Sequence, residues 1–107
     1  MASGRLGTPA DMGAATLTTI YTVPANTFAV ATINVLNRSA SAVTVRLALA
    51  ATDTPTTAEY IEYDITIPAK AVLERTGLVL AATQKIVAYS SAIDVSVMAY
   101  GIETSTA

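Results

Sequence analysis

The sequence predicts an all-β fold: a single β-sandwich of about seven or eight antiparallel strands, jelly-roll-like or Ig-like in order, behind an extended N-terminal arm. Three observations lead there. Apolar and polar residues alternate with a period of two through most of residues 16–102, as on strands with one buried face. The runs are rich in Val, Ile, Thr and Tyr, whose branched or aromatic side chains suit a pleated surface better than a helix. Turn residues punctuate the runs every ~8–12 positions, the spacing of a sandwich.

Residues 1–15 (MASGRLGTPADMGAA) are rich in Gly and Ala, contain Pro9 and show no period. They are read as the arm, either a loose tail or a segment that orders on a neighbouring subunit. Residues 16–107 are read as the sandwich domain. From Thr16, TLTTIYTV sets Leu17, Thr19, Tyr21 and Val23 on one face of a first strand, and Pro24-Ala25-Asn26 turns the chain. In residues 27–36, Ala29, Ala31, Ile33 and Val35 alternate with Phe28, Val30, Thr32 and Asn34. Two fairly apolar faces suit a central strand or one covered on both sides.

Residues 37–41 (NRSAS) form the next turn. The strictest alternation follows, with Val43, Val45, Leu47 and Leu49 opposed to Thr44, Arg46 and Ala48. Residues 50–59 (AATDTPTTAE) are polar and make the longest interior loop. In YIEYDITI, 60–67, Ile61, Tyr63, Ile65 and Ile67 are expected inward, and Tyr60, Glu62, Asp64 and Thr66 outward. After Pro68-Ala69-Lys70, residues 71–80 form a strand bent near Gly77, because Gly inside a strand marks a bulge or close approach. Residues 81–84 turn, and 85–90 and 93–102 complete the set.

With 107 residues the chain makes one small domain that buries roughly 60–68% of its unfolded surface. It contains neither Cys nor His, which excludes disulfides, thiolate or His-ligated zinc, a His triad and a His pH switch. Charged residues make up 13%, against a usual value of about 25%, and hydrophobic residues 52%. So little charge dresses a lone domain poorly for solution and points to surface that meets other protein. The plainer reading is a surface of Thr, Ser and Ala. The net charge of −2, without a basic stripe, argues against nucleic acid. No apolar run approaches the ~20 residues of a membrane helix, and the N-terminus lacks the apolar centre of a secretion signal.

Catalytic candidates are few. Glu62 and Asp64, at i and i+2, are expected on one strand face, where two carboxylates usually solvate the surface rather than form an acid–base pair across a cleft. Glu59, Glu62, Asp64 and Asp53 supply oxygens of the kind calcium takes, but without the spacing of a calcium loop. Glu74 and Arg75 are strand neighbours that point to opposite faces, so one of them is expected at a subunit boundary or a cross-strand partner. The Asn37-Arg38-Ser39 glycosylation pattern is better read as a turn. Five Tyr offer a carbohydrate platform, but without the Trp that sugar stacking favours.

The segments NRSASAVTVR at 37–46, YIEYD at 60–64, LERTGLVL at 73–80 and VSVMAYG at 95–101, with GRLG at 4–7 and IYTVP at 20–24, resemble small structural proteins of tailed bacteriophages. The likeness covers about two thirds of the chain and consists mostly of sandwich consensus. It implies a virion component assembled in the host cytoplasm: a capsid decoration (cement) protein, or a neck or tail accessory subunit. Such proteins commonly form trimers or larger symmetric sets and clamp the shell lattice against DNA pressure. The expectation is therefore a non-enzymatic structural protein, a homotrimer whose partners are its own copies and major capsid or other virion proteins. No catalytic, cofactor or metal residues are expected. Contacts are expected at Arg5 and Leu6 of the arm, Asp53, Thr54 and Pro55 of the long loop, and Arg75. The alternative is a tail-fibre, neck or baseplate module that binds a receptor or carbohydrate through Tyr60 or Tyr100.

Overall fold

The computed structural model describes residues 3–106. They form eight strands: β1 (Ser3–Asp11), β2 (Thr16–Thr22), β3 (Thr27–Asn37), β4 (Val43–Ala50), β5 (Tyr60–Ile67), β6 (Val72–Leu80), β7 (Lys85–Ser90) and β8 (Val95–Ser105). A single 3-10 turn, Thr57–Glu59, precedes β5. Among the described residues no helix is long and apolar enough to cross a membrane.

Two four-stranded sheets pack face to face, in the orders β1-β8-β3-β6 (sheet A) and β2-β7-β4-β5 (sheet B). All pairings are antiparallel: β1 with β8, β2 with β7, β3 with β6 and β4 with β5, closed by β3 with β8 and β4 with β7. The chain is thus one long hairpin, with residues 51–59 at its tip, rolled into a sandwich. This is the jelly-roll order; an Ig-like order would pair β1 with β2.

Alternation places the core. Ile33 and Val35 from β3, Val45 and Leu47 from β4, Leu80 from β6 and Ile86 from β7 are all essentially inaccessible between the sheets. Each such side chain contributes about 1.5–3 kcal/mol by leaving water. Asn37, also buried, donates Nδ2 to the carbonyls of Ser41, Ile67 and Pro68, and its Oδ1 accepts from the backbone and side chain of Ser39. It is a side-chain knot that closes the β3–β4 turn, which the turn reading of residues 37–41 did not distinguish from an exposed bend.

The expectation of an N-terminal arm is overturned for residues 3–15. Residues 3–11 are the edge strand of sheet A, Leu6 is 1% exposed, and Met12 is buried beside it in the core. Residues 12–15 connect to β2 and bond back to the body, Met12 N–H to Val95 and Ala15 N–H to Ser90. Met1, Ala2 and Ala107 lie outside the described residues. The alternation was obscured because four steps of β1, Leu6 to Ala10, span only two of β8, Ala99 to Val97. Gly7 in this bulge has φ 68°, and a Cβ there would sit 2.2 Å from the Ile20 carbonyl oxygen, so only Gly lets β1 approach β2 so closely.

Bulges correct two further expectations. In β5, Glu62 to Ile65 spans three residues where Leu47 to Val45 on β4 spans two, and Asp64 takes φ 52°. The extra residue reverses the alternation: Tyr63 turns outward, 59% exposed, instead of inward. Glu62 and Asp64 consequently do not share a face. In β2, a register break between Thr19 and Tyr21 buries both Ile20 and Tyr21, rather than every second residue. The bend expected at Gly77 is present as a bulge with φ 69°.

Candidate functional site

The two sheets present outer faces of opposite character. On sheet B, cross-strand register assembles one row, Thr19–Val87–Ala48–Tyr60, and beside it a second, Leu17–Tyr89–Arg46. Ala48, Ala50 and Val87 are nevertheless fully buried, in a small cluster separate from the main core and flanked by Tyr60. The loop after β4 crosses back over this row. Asp53 accepts from Thr19 Oγ1 of β2 at 2.5 Å and lies 3.7 Å from Lys85 Nζ of β7. Glu59 ties the loop shut by accepting the N–H groups of Ala51 (3.0 Å) and Thr56 (2.8 Å). Those bonds, Thr56 first and Ala51 second, hold its carboxyl below the ordinary value.

The other half of sheet B is closed by Arg46. Its guanidinium pairs with Asp64 at 2.6 Å and lies 4.3 and 4.6 Å from the ring centres of Tyr63 and Tyr89. Tyr60 meets Tyr63 edge-on at 5.1 Å. Arg46, Tyr60, Tyr63 and Tyr89 are thus engaged by one another, while Leu17 at the β2 edge stays exposed.

Sheet A is different. Val30 lies in a row between Val79 of β6 and Ile102 of β8, and Leu36 lies opposite Val72. Val79 is 65% exposed and Ile102 51%, and Val72, Met98, Phe28 and Tyr100 are also open. No loop crosses them: the longest connection, 51–59, is spent on sheet B. Tyr100 leans over β3 to donate its hydroxyl to Glu74 of β6 at 2.7 Å, a bond that pushes its phenol up from the ordinary value. The row Arg5–Tyr100–Thr32 places Arg5 at the β1 edge of this face. Among the described residues Arg5 makes no ion pair. The charge farther along β1, Asp11, is paired with Arg38.

The expected contact residues therefore scatter. Arg5 lies on the open face, whereas Leu6 points into the core and cannot reach a neighbour. Asp53 is engaged by Thr19 and Lys85; Thr54 is exposed and Pro55 half-buried at the hairpin tip. Arg75 bridges the two sheet edges through Glu62 at 3.0 Å, the cross-strand alternative of the two expected for Glu74 and Arg75. Of the tyrosines offered for carbohydrate, Tyr60 is half-buried and Tyr100 is bonded to Glu74. A third, Tyr21, is buried and donates to Glu103; burial first and then this partner hold its phenol well above the usual range. Among the described residues no three acidic side chains converge as metal ligands, and no pocket opens.

The open face of sheet A escaped sequence reasoning. Val30, Val79 and Ile102 look, as letters, like Ala48 and Val87; the difference is made by the path of a loop. No protein-family model matches this chain, and neither a curated protein nor a solved structure matches it.

Proposed function

We propose that this chain is a non-enzymatic structural subunit of a tailed-bacteriophage particle, a capsid decoration (cement) protein that works by covering surface on other proteins. The supporting observation is the contrast between its faces. Sheet B is largely covered by its own loop and ion pairs, with Tyr63 and Leu17 its exposed large side chains, whereas sheet A displays Val79, Ile102, Val72 and Met98 to solvent beside Arg5, which makes no ion pair among the described residues. Contiguous exposed apolar surface marks an interaction site. Low overall charge and the phage-like motifs at 37–46, 60–64, 73–80 and 95–101 support the same reading. The mechanism is burial of the sheet A face against further protein, which joins copies into a set that attaches to the shell more strongly than one copy would.

The experiment uses particles of the phage that encodes the chain, made without it. Purified protein is expected to co-sediment with them saturably, and mass spectrometry is expected to find the chain in complete virions. Absence from virions together with no co-sedimentation would overturn the proposal.

A further inference from the structure

The open face of sheet A has a polarity that identifies its occupant. Two charged side chains that form no ion pair among the described residues stand on its opposite edges: Arg5 on β1 and, on β6, Glu74, whose carboxylate accepts only the Tyr100 hydroxyl there. Between them lie β8 and β3, carrying Ile102 directly opposite Val30. Asp11, the other acidic residue at this rim, is already neutralised by Arg38.

We propose that this face is covered by a second copy of the same chain, related by a two-fold axis that runs parallel to the strands between β8 and β3. Such an axis exchanges β1 with β6 and β8 with β3. Val30 of one copy then lies over Ile102 of the other, and Ile102 over Val30. The same rotation carries Arg5 of each copy over the β6 edge of its partner. Arg5 shares its row with Thr32, and Glu74 shares its row with Asn34, so the two levels differ by two residues. That is about 7 Å along a strand, a gap that two long side chains close. A self-complementary patch in which i meets j and j meets i is what an isologous contact requires. An axis across the strands would instead lay β1 over β1 and β6 over β6, so that Arg5 would never face Glu74.

The size of the face fits. Four strands about 4.8 Å apart and nine residues long at about 3.3 Å each give roughly 600 Å² of projected area. The contoured accessible surface exceeds that and approaches the ~800 Å² per partner of a standard stable interface. Two twisted sheets pack face to face in this manner inside any aligned sandwich.

The inference rests on the reading of sheet A as the working face and names what covers it; the experiment is independent of particles. Sedimentation velocity of the purified full chain across concentration is expected to show a dimer of twice the 11.0 kDa chain mass. Ile102→Lys is expected to leave a folded monomer with the wild-type circular dichroism spectrum, whose Tm, unlike that of the dimer, does not change with concentration. Val79→Lys, at the rim, serves if that variant fails to fold. Arg5→Glu and Glu74→Arg each place like charges together twice per dimer and are expected to weaken association about tenfold. Mixing the two single variants restores both pairs in a heterodimer, so the mixture is expected to associate as tightly as wild type. A wild-type monomer, a trimer, or a dimer indifferent to Ile102→Lys and to the charge mixture would overturn the inference. A dimer that never attaches to particles would uphold it and overturn the virion proposal, whereas a monomer that coats particles would do the reverse.

Discussion

The outer faces of the two sheets begin with similar side chains and end in different states. On sheet B, Ala48, Ala50 and Val87 are buried under the returning loop, while Arg46 fills the space between Tyr63, Tyr89 and Asp64. On sheet A, Val30, Val79 and Ile102 occupy an equivalent cross-strand row and no described loop covers it. The difference teaches that exposure in a sandwich is decided by connections as much as by alternation. One face is part of the folded structure; the other is available for use.

The strongest way to break this contrast is to remove the strand that frames the open face. A chain lacking residues 1–12 loses Leu6, Met12 and the pairing partner of β8, and is expected not to fold. Leu6→Ala alone is expected to cost about 2–5 kcal/mol in urea denaturation. An arm would have tolerated both changes.

Next comes a charge placed under the sheet B loop. Ala48→Lys is expected to destabilise by about 2–4 kcal/mol, since the ammonium must either stay buried or lift the loop away. Circular dichroism melts and increased proteolysis at 51–59 would record it. Arg46→Ala, which removes an ion pair and two ring contacts at once, is expected to lower Tm by a few degrees.

A smaller effect follows from Glu59. Its folded carboxyl lies below the ordinary value of 4.5, so the unfolded chain takes up the proton first. The stabilisation is therefore complete above about pH 4.5 and is lost as pH falls through the lower, folded value. Amide exchange at Ala51 and Thr56 is expected to quicken over that acidic range in wild type and to be fast at every pH in Glu59→Ala. Smallest of all, Val79→Lys on sheet A is expected to change the stability of the chain by no more than about 0.5 kcal/mol when both proteins are compared at dilutions where they are monomeric. A large loss in the monomer would mean that sheet A is covered by its own chain after all.

The legibility of the fold varied with the local backbone. From β3 to β7 the alternation of Ala29–Val35 and Val43–Leu49, and the turn residues at 24–26 and 68–70, placed strand ends within a residue or so. β1 was hidden because Gly4, Gly7 and Pro9 offer no apolar rhythm and its inward residues, Leu6 and Ala10, are separated by a bulge. Tyr63 was misplaced because a left-handed Asp64 reverses the parity of β5, and nothing in YIEYDITI announces that φ. Of the expected contact residues, Arg5 reached the open face; the remainder of that face depends on register between strands distant in sequence. Strand order was likewise invisible, because a period of two says which face a residue takes and not which strand lies beside it.

The roll also sets a timetable for synthesis. β8, made after the other seven strands described, is the one that sits between β1 and β3. Until it leaves the ribosome, β1 has no neighbour in its own sheet and β3 is paired on one side only. The β4–β5 hairpin, by contrast, can close as soon as it emerges, because its partners are adjacent in the chain. Sheet B can therefore begin early, whereas the working face of sheet A comes into existence only once β8 has been made. The Val30–Ile102 row is thus absent from a nascent chain until β8 docks against β3.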